Sequence, residues 1–371
     1  MNTIFCSAIA ITPNFLTALV IACLIGVCGG CLDKNSSKDH SEKSTVVTGR
    51  VSDDSRKPPA GSLGLTDSTT NHPDATAKPI GRGTGSDDLV RNVELITSVS
   101  APSEYLFLDS KNITDAVVAV TLPLDYEKNR NKYYPLVIAF GGAGECARAP
   151  REGALAWVGY YKMDDAVRAL GRGRLESNDF RGLITPVRLA AFNKRLKNWP
   201  YEGVIVACPY SPLITSLTEF ENTGYERFII KELVPLLKKR YRVAKGRIGV
   251  DGVSMGGARA MFFGLKHPET FSAIGSIQGA FGPFLDTYAQ LARQNRKKLK
   301  GTPIQLVTSD GDGMSPSVNK MASLLKDEGI HYTFMNLTGP HDYIFNQGPG
   351  SIALLMFHDH AQPRQPHGPT K

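Results

Sequence analysis

Ser254 stands at the centre of Gly252-Val253-Ser254-Met255-Gly256, a G-x-S-x-G spacing with the apolar run 247–253 before it and a helical pattern over 258–265 after it. Between a strand and a helix, this spacing holds a serine on a sharp turn whose flanking glycines avoid the clash of Cβ atoms. The turn lifts the hydroxyl clear of the sheet. The first N–H groups of the following helix then face any negative charge that develops there. A serine hydroxyl is a poor nucleophile at neutral pH, so it needs a base, and the base needs a carboxylate to orient it. The expected chain order is serine, acid, histidine. Downstream, Ser309-Asp310-Gly311-Asp312-Gly313 and Thr338-Gly339-Pro340-His341-Asp342-Tyr343 each follow an apolar run. His341 is the candidate base and Asp312 the candidate acid. Asp310 is the alternative acid, and the carboxylate not used is expected to form the turn. Asp342 is expected to hydrogen-bond within its own loop.

An oxyanion formed at Ser254 needs N–H donors. The backbone of Met255, next after the nucleophile, is one candidate. The other comes from Gly141-Gly142-Ala143-Gly144, with Gly142 and Ala143 the favoured residues. Among the other histidines, His40 and His72 fall in a polar stretch, His267 precedes Pro268 and His331 begins a strand. His358-Asp359-His360, near the C-terminus, reads as solvated or weakly metal-binding. No CxxC pair stands beside a histidine cluster, so there is no zinc signature and no metal is expected. Gly142-Ala143-Gly144-Glu145-Cys146-Ala147 also fits the dinucleotide-binding spacing G-x-G-x-x-A. Its acidic partner would be Asp164-Asp165, which falls in the helical stretch 161–170 and not at a strand end, where a ribose is met. That reading is the weaker one.

Such residues need a scaffold of alternating strands and helices. The runs 105–108, 116–122, 135–140, 203–209, 247–253, 273–277, 304–308 and 332–337 read as strands. Helical spacing is found over 225–241, 258–265 and 317–328. Short, largely apolar strands separated by helices predict an α/β fold, a mostly parallel central sheet with helices on both faces. The acid and histidine loops then lie at strand C-terminal ends, where such sheets place function.

On these residues the chain resembles the esterase D and feruloyl-esterase-type esterases of the α/β-hydrolase superfamily. Before the elbow the resemblance is carried by Tyr225-Glu226-Arg227-Phe228, Lys231-Glu232-Leu233-Val234-Pro235 and Tyr241-Arg242-Val243. It continues through Asp251-Gly252-Val253-Ser254-Met255-Gly256-Gly257 and His267-Pro268-Glu269-Thr270-Phe271. Ala119-Val120-Thr121-Leu122-Pro123 resembles the family's early strand, and Gly339-Pro340-His341-Asp342-Tyr343 its histidine loop. Two positions depart from it: Phe140-Gly141, where the family often has His-Gly, and Gln278-Gly279, where it often has Ser-Gly. The resemblance implies an α/β-hydrolase fold and a cofactor-free serine esterase that cleaves carboxylic esters through an acyl-enzyme. Alternatives are an acyltransferase to a sugar or cell-wall acceptor, and a catalytically inactive binding protein on the same fold.

The 371 residues carry 43 Lys and Arg against 35 Asp and Glu, a formal charge of +8. Hydrophobic residues at 42% provide for a large core, which excludes wholesale disorder. Residues 1–31 contain no Lys, Arg, Asp or Glu, and the apolar run 15–27 ends in Val27-Cys28-Gly29-Gly30-Cys31. This resembles a bacterial lipoprotein signal peptide, in which Cys31 would carry the lipid; an uncleaved anchor or a plain secretory signal is the alternative. All three place the domain outside the cytoplasm, and the lipoprotein reading attaches it to a membrane at the cell envelope, on its periplasmic or extracellular face. Residues 32–90, rich in Ser, Thr, Asp, Lys, Pro and Gly, read as a disordered tether. The hydrolase domain is expected over 91–362 and a flexible tail over 363–371. Cys146 and Cys208 are the domain's two cysteines, either paired in a disulfide or left as buried thiols.

Residues 148–200, an insert able to act as a lid, hold 11 Lys and Arg against 5 Asp and Glu. Arg148, Arg151, Arg172, Arg174 and Arg181 would bias the site towards an anionic ester, or towards one linked to carbohydrate. A solvated basic surface is the alternative. With no zinc finger, aromatic RNA-binding pattern or long basic helix, nucleic acid is not an expected partner.

Overall fold

The computed structural model describes residues 89–213, 216 and 223–361. Cys31, the signal-like segment, nearly all of the tether and the tail lie outside the described residues. Among the described residues, nine strands form one sheet: β1 (Val90–Leu95), β2 (Ser103–Leu108), β3 (Ala116–Thr121), β4 (Tyr134–Phe140), β5 (Ile205–Pro209), β6 (Val243–Gly252), β7 (Ala273–Ile277), β8 (Ile304–Gly311) and β9 (Thr333–Pro340). Their order is β1-β2-β3-β5-β4-β6-β7-β8-β9. The pairings β1 with β2, β2 with β3 and β3 with β5 are antiparallel. All those from β5 through β4 to β9 are parallel.

Alternation along the strands sends side chains to two helical layers. On one face, Leu136, Ile138 and Phe140 of β4 pack in a core with Phe228, Ile229 and Leu233, whose segment Phe228–Leu233 is a π-helix. On the other, Val137 and Ala139 join Trp157, Met163, Val167 and Leu170. The helices used below are α1 (Ala143–Cys146), α2 (Pro150–Ala154), α3 (Met163–Gly171), α4 (Pro186–Asn198), α5 (Val234–Arg240), α6 (Met255–Lys266), α7 (Leu285–Asn295), α8 (Ser315–Asp327) and α9 (Ser351–His360). The basic insert supplies α3 and α4, whose apolar residues cover the sheet. Helix α9, absent from the sequence reading, is buried except for His360. An all-round buried helix has no polar stripe from which a helical period could be read. Among the described residues, no helix is long and apolar enough to cross a membrane.

Strand β4 lies between β5 and β6, so the chain leaves it towards one side and returns past it to the other. Loops diverge at such a switch point and open a crevice at the strand C-terminal ends. Registered pairs bring the candidate residues there. Phe140 stands opposite Gly252, which sets the Gly141–Gly142 turn beside Ser254. Gly311 stands opposite Pro340, which sets Asp312 beside His341.

Candidate active site

Ser254 takes φ 56° and ψ −118° between the end of β6 and the first residue of α6. A side chain other than glycine's rarely occupies that region, and holding it there costs roughly 1–3 kcal/mol. The surroundings enforce it. Ser254 N–H donates to the Ile277 carbonyl at 2.9 Å, and the Ser254 carbonyl accepts from Ala280 N–H at 3.0 Å. A Cβ on Gly252 would lie 2.4 Å from the Gly256 carbonyl oxygen, and one on Gly256 would lie 2.4 Å from that of Phe140. Both glycines are therefore required by close backbone approach.

His341 Nδ1 lies 2.8 Å from Asp312 Oδ1. The Asp312 side chain is wholly buried, whereas the His341 ring is 30% exposed. Asp312 Oδ1 also accepts from Met314 N–H at 2.8 Å, and Oδ2 accepts from Thr308 Oγ1 at 2.7 Å. A carboxylate on Nδ1 fixes the tautomer and leaves Nε2 for proton exchange. Among the described residues, the Ser254 hydroxyl makes no hydrogen bond; nucleophile–base bonds of this kind commonly tighten only with substrate. Asp310, the alternative acid, instead accepts Gly339 N–H at 3.0 Å and ties β8 to β9. Asp342 accepts from Phe345 N–H at 3.0 Å.

Gln278 was not among the candidates. It is wholly buried with φ +47°, and its Nε2 donates to Ser309 Oγ at 2.8 Å and to the Pro340 carbonyl at 3.0 Å. Ser309 Oγ in turn donates to the Gly339 carbonyl at 2.5 Å. The loops bearing acid and base are thus laced to the strand beside the nucleophile. The departure from Ser-Gly at Gln278-Gly279 was the available signal.

Met255 and Ala143 begin α6 and α1, so their N–H groups have no acceptor within the helix. The two loop candidates separate here. Gly142 N–H donates to the Tyr161 hydroxyl at 3.1 Å, which leaves Ala143 as the open donor. A Cβ on Gly142 would lie 3.8 Å from the Ser254 Cβ, so the loop runs against the nucleophile. Behind it, the buried Arg259 donates to Cys146 Sγ at 2.9 Å, Ser211 Oγ at 2.6 Å and the Pro212 carbonyl at 2.9 Å. It also contacts Met255 Sδ at 3.2 Å and so joins the two helices that supply donors.

Cys146 and Cys208 are free, buried thiols. Burial pushes Cys146 up and Cys208 up to about 12, which keeps both from acting as thiolates. His358 is not solvated: it is buried, and its Nε2 lies 3.0 Å from Asp251 Oδ2 beneath the elbow. Among the described residues, no His, Cys, Asp or Glu cluster could hold a metal ion. The G-x-G-x-x-A stretch folds into α1, only four residues long, and its acidic partners are engaged elsewhere. Asp164 accepts from Ser100 N–H, and Asp165 pairs with Arg168 and Arg181. Of the five insert arginines, Arg151 pairs with Glu94 and Arg172 with Asp179, while Arg181 is held by Asp165. Arg174 is exposed. Arg148 lies 4.5 Å from the centre of the Tyr160 ring.

Residues 216–312 match the family described as "Putative esterase", a stretch that includes Ser254 and Asp312 and stops before His341. The uncharacterized protein YbbA of Bacillus subtilis (strain 168) is 34% identical over 77 residues, 20% of this chain and 31% of that protein. The match therefore spans less than a third of the relative's length. Among solved structures, a ferulic acid esterase superposes with a TM-score of 0.53 at 16% identity, over 73% of this chain and 99% of that one. This chain has the α/β-hydrolase fold. Within this α/β-hydrolase fold the stretch that matches the esterase family runs through the elbow, β7 and β8, and the chain beyond it brings His341 back beside Asp312.

Proposed function

We propose that the protein is a carboxylic ester hydrolase that works through an acyl-enzyme on Ser254. The observation carrying this reading is the bond between His341 Nδ1 and Asp312 Oδ1, at the same sheet edge as the strained Ser254. His341 Nε2 takes the hydroxyl proton as Ser254 Oγ bonds to the ester carbonyl carbon. The carbonyl electron pair moves to oxygen, where the N–H groups of Met255 and Ala143 stabilise it. Collapse breaks the bond to the alcohol, which leaves with the proton from His341. Water then repeats the sequence on the acyl-serine and releases the acid. Asp312 holds the ring and stabilises its protonated form without taking the proton itself. The esterase-family match over 216–312 supports an ester as the substrate.

A panel of short-chain and aromatic p-nitrophenyl esters tests this reading. Wild-type turnover that falls by about 10⁴-fold or more in Ser254→Ala is expected. Equal turnover by the two proteins would rule out the acyl-enzyme.

The same reading anchors the enzyme at the cell envelope through lipid on Cys31, supported by the uncharged apolar segment and the small residues before that cysteine. Palmitate incorporation by the full chain in a bacterial host, lost in Cys31→Ala, is the expected result. Export without lipid would contradict it.

A further inference from the structure

Glu145 lies in the loop that faces Ser254 and is only 3% exposed, yet the proton-transfer chemistry gives it no role. Both its oxygens accept from tyrosines. Oε2 takes the Tyr161 hydroxyl, and Oε1 takes that of Tyr343 at 2.5 Å. Tyr161 is the same residue whose oxygen accepts Gly142 N–H. One hydroxyl therefore reads both ends of the loop, the amide before Ala143 and the carboxylate after it. Tyr343 stands two residues beyond His341, so the carboxylate also joins the loop to the strand end that carries the base.

The support comes from the insert. Residues Ala156–Tyr160 form a π-helix, and Tyr161 N–H donates to the Ala156 carbonyl at 2.8 Å. This wider turn sets Trp157 and Tyr161 together, ring against edge, with centres 4.9 Å apart. Trp157 Nε1 donates to the Phe140 carbonyl at 2.9 Å, at the end of β4. The loop is thus held at Phe140, at Gly142 and at Glu145 by groups from one π-turn. π-turns of this kind concentrate at functional sites.

We propose that Glu145, with Tyr161 and Tyr343, is the positioning device of the oxyanion loop, holding Gly142 N–H away from the hole so that Ala143 N–H faces it beside Met255. This deepens the ester-hydrolase reading and rests on it for its kinetic consequence. A buried carboxylate needs donors for its lone pairs, so a lost tyrosine hydroxyl leaves the loop with an unsatisfied group and frees it to turn. Tyr161→Phe strands two groups, Gly142 N–H and Glu145 Oε2. Tyr343→Phe strands one, at the solvent edge. Glu145→Gln keeps the shape but sets an amide N–H₂ against a tyrosine oxygen. The order of effect is therefore Tyr161→Phe, then Glu145→Gln, then Tyr343→Phe.

The test measures two things on each variant, with the exposed Tyr133→Phe as control. The first is amide hydrogen exchange in the peptide spanning 140–148. The second is kcat and KM per active site, titrated with a fluorophosphonate. Tyr161→Phe should speed exchange in that peptide and lower kcat about 10- to 100-fold, less than the full effect of removing a hole donor, with KM within about twofold. A fall only in the titratable fraction, or unchanged exchange and kcat, would overturn the proposal. Faster exchange in a folded wild-type background that turns over no ester would uphold the positioning geometry and refute the hydrolase reading instead.

Discussion

His341 and Asp312 are 29 residues apart in the chain, and their side chains meet at 2.8 Å because Gly311 and Pro340 are registered neighbours at the ends of β8 and β9. Asp310 sits two residues earlier and spends its carboxylate on Gly339 N–H, on the backbone just before the base. The two acidic residues of one turn thereby divide the work: one orients the ring and the other closes the loop that presents it.

Asp312→Asn should lower kcat by about 10⁴-fold with little change in KM, because an amide favours the wrong tautomer of the ring. Asp310→Asn keeps an acceptor oxygen for Gly339 N–H and should change kcat by no more than a few-fold. Steady-state kinetics on one activated ester compares them. Equal losses would mean that the acid assignment is wrong.

Gln278→Leu removes the amide that holds Ser309 and the Pro340 carbonyl, without touching acid, base or nucleophile. The misplaced histidine loop should reduce kcat about 10-fold. The stranded buried acceptors should cost about 2 kcal/mol in denaturant unfolding. A stable variant with full kcat would show that the lacing does not govern the site.

Asp251 lies at the end of β6, where Oδ1 accepts Gly252 N–H at 2.7 Å and Oδ2 meets His358. Burial raises its carboxyl above the ordinary range. Asp251→Ala leaves His358 buried without that partner and should cost about 3 kcal/mol. Urea unfolding that shifts by under about 1 kcal/mol would mean that the pair contributes little.

Much of this site is legible in the sequence because its parts are local. The elbow needs only its own glycines and the strand and helix around it, and the acid and base loops announce themselves at the ends of apolar runs. The supporting groups are not local. Tyr343 and Glu145 are 198 residues apart, and His358 and Asp251 are 107 apart, so no spacing rule joins them. The π-turns at Ala156–Tyr160 and Phe228–Leu233 shift the helical period, and β1, an edge strand with two exposed residues, lacks a full apolar run. The charge excess of the insert is legible too. Its ion pairs with Glu94, Asp165 and Asp179 become visible only when the chain folds.

Glu226 gives the protein an acid-side stability limit. Burial pushes its carboxyl up, but hydrogen bonds from His267 and Lys266 outweigh that and hold it below its ordinary value of 4.5. A carboxyl depressed on folding stabilises above its unfolded pKa, and the contribution is lost as pH falls through the folded value. The melting-temperature advantage of wild type over Glu226→Gln should be full at pH 6 and shrink as pH falls below about 4.5. An advantage independent of pH would contradict this.

The most direct test of an activated Ser254 is covalent. The purified domain lacking residues 1–88 is incubated with a fluorophosphonate, and the adduct is located by peptide mass spectrometry. One adduct on Ser254, much slower labelling in His341→Ala and none in Ser254→Ala are expected. No adduct in a folded sample, or an adduct on another residue, would contradict it.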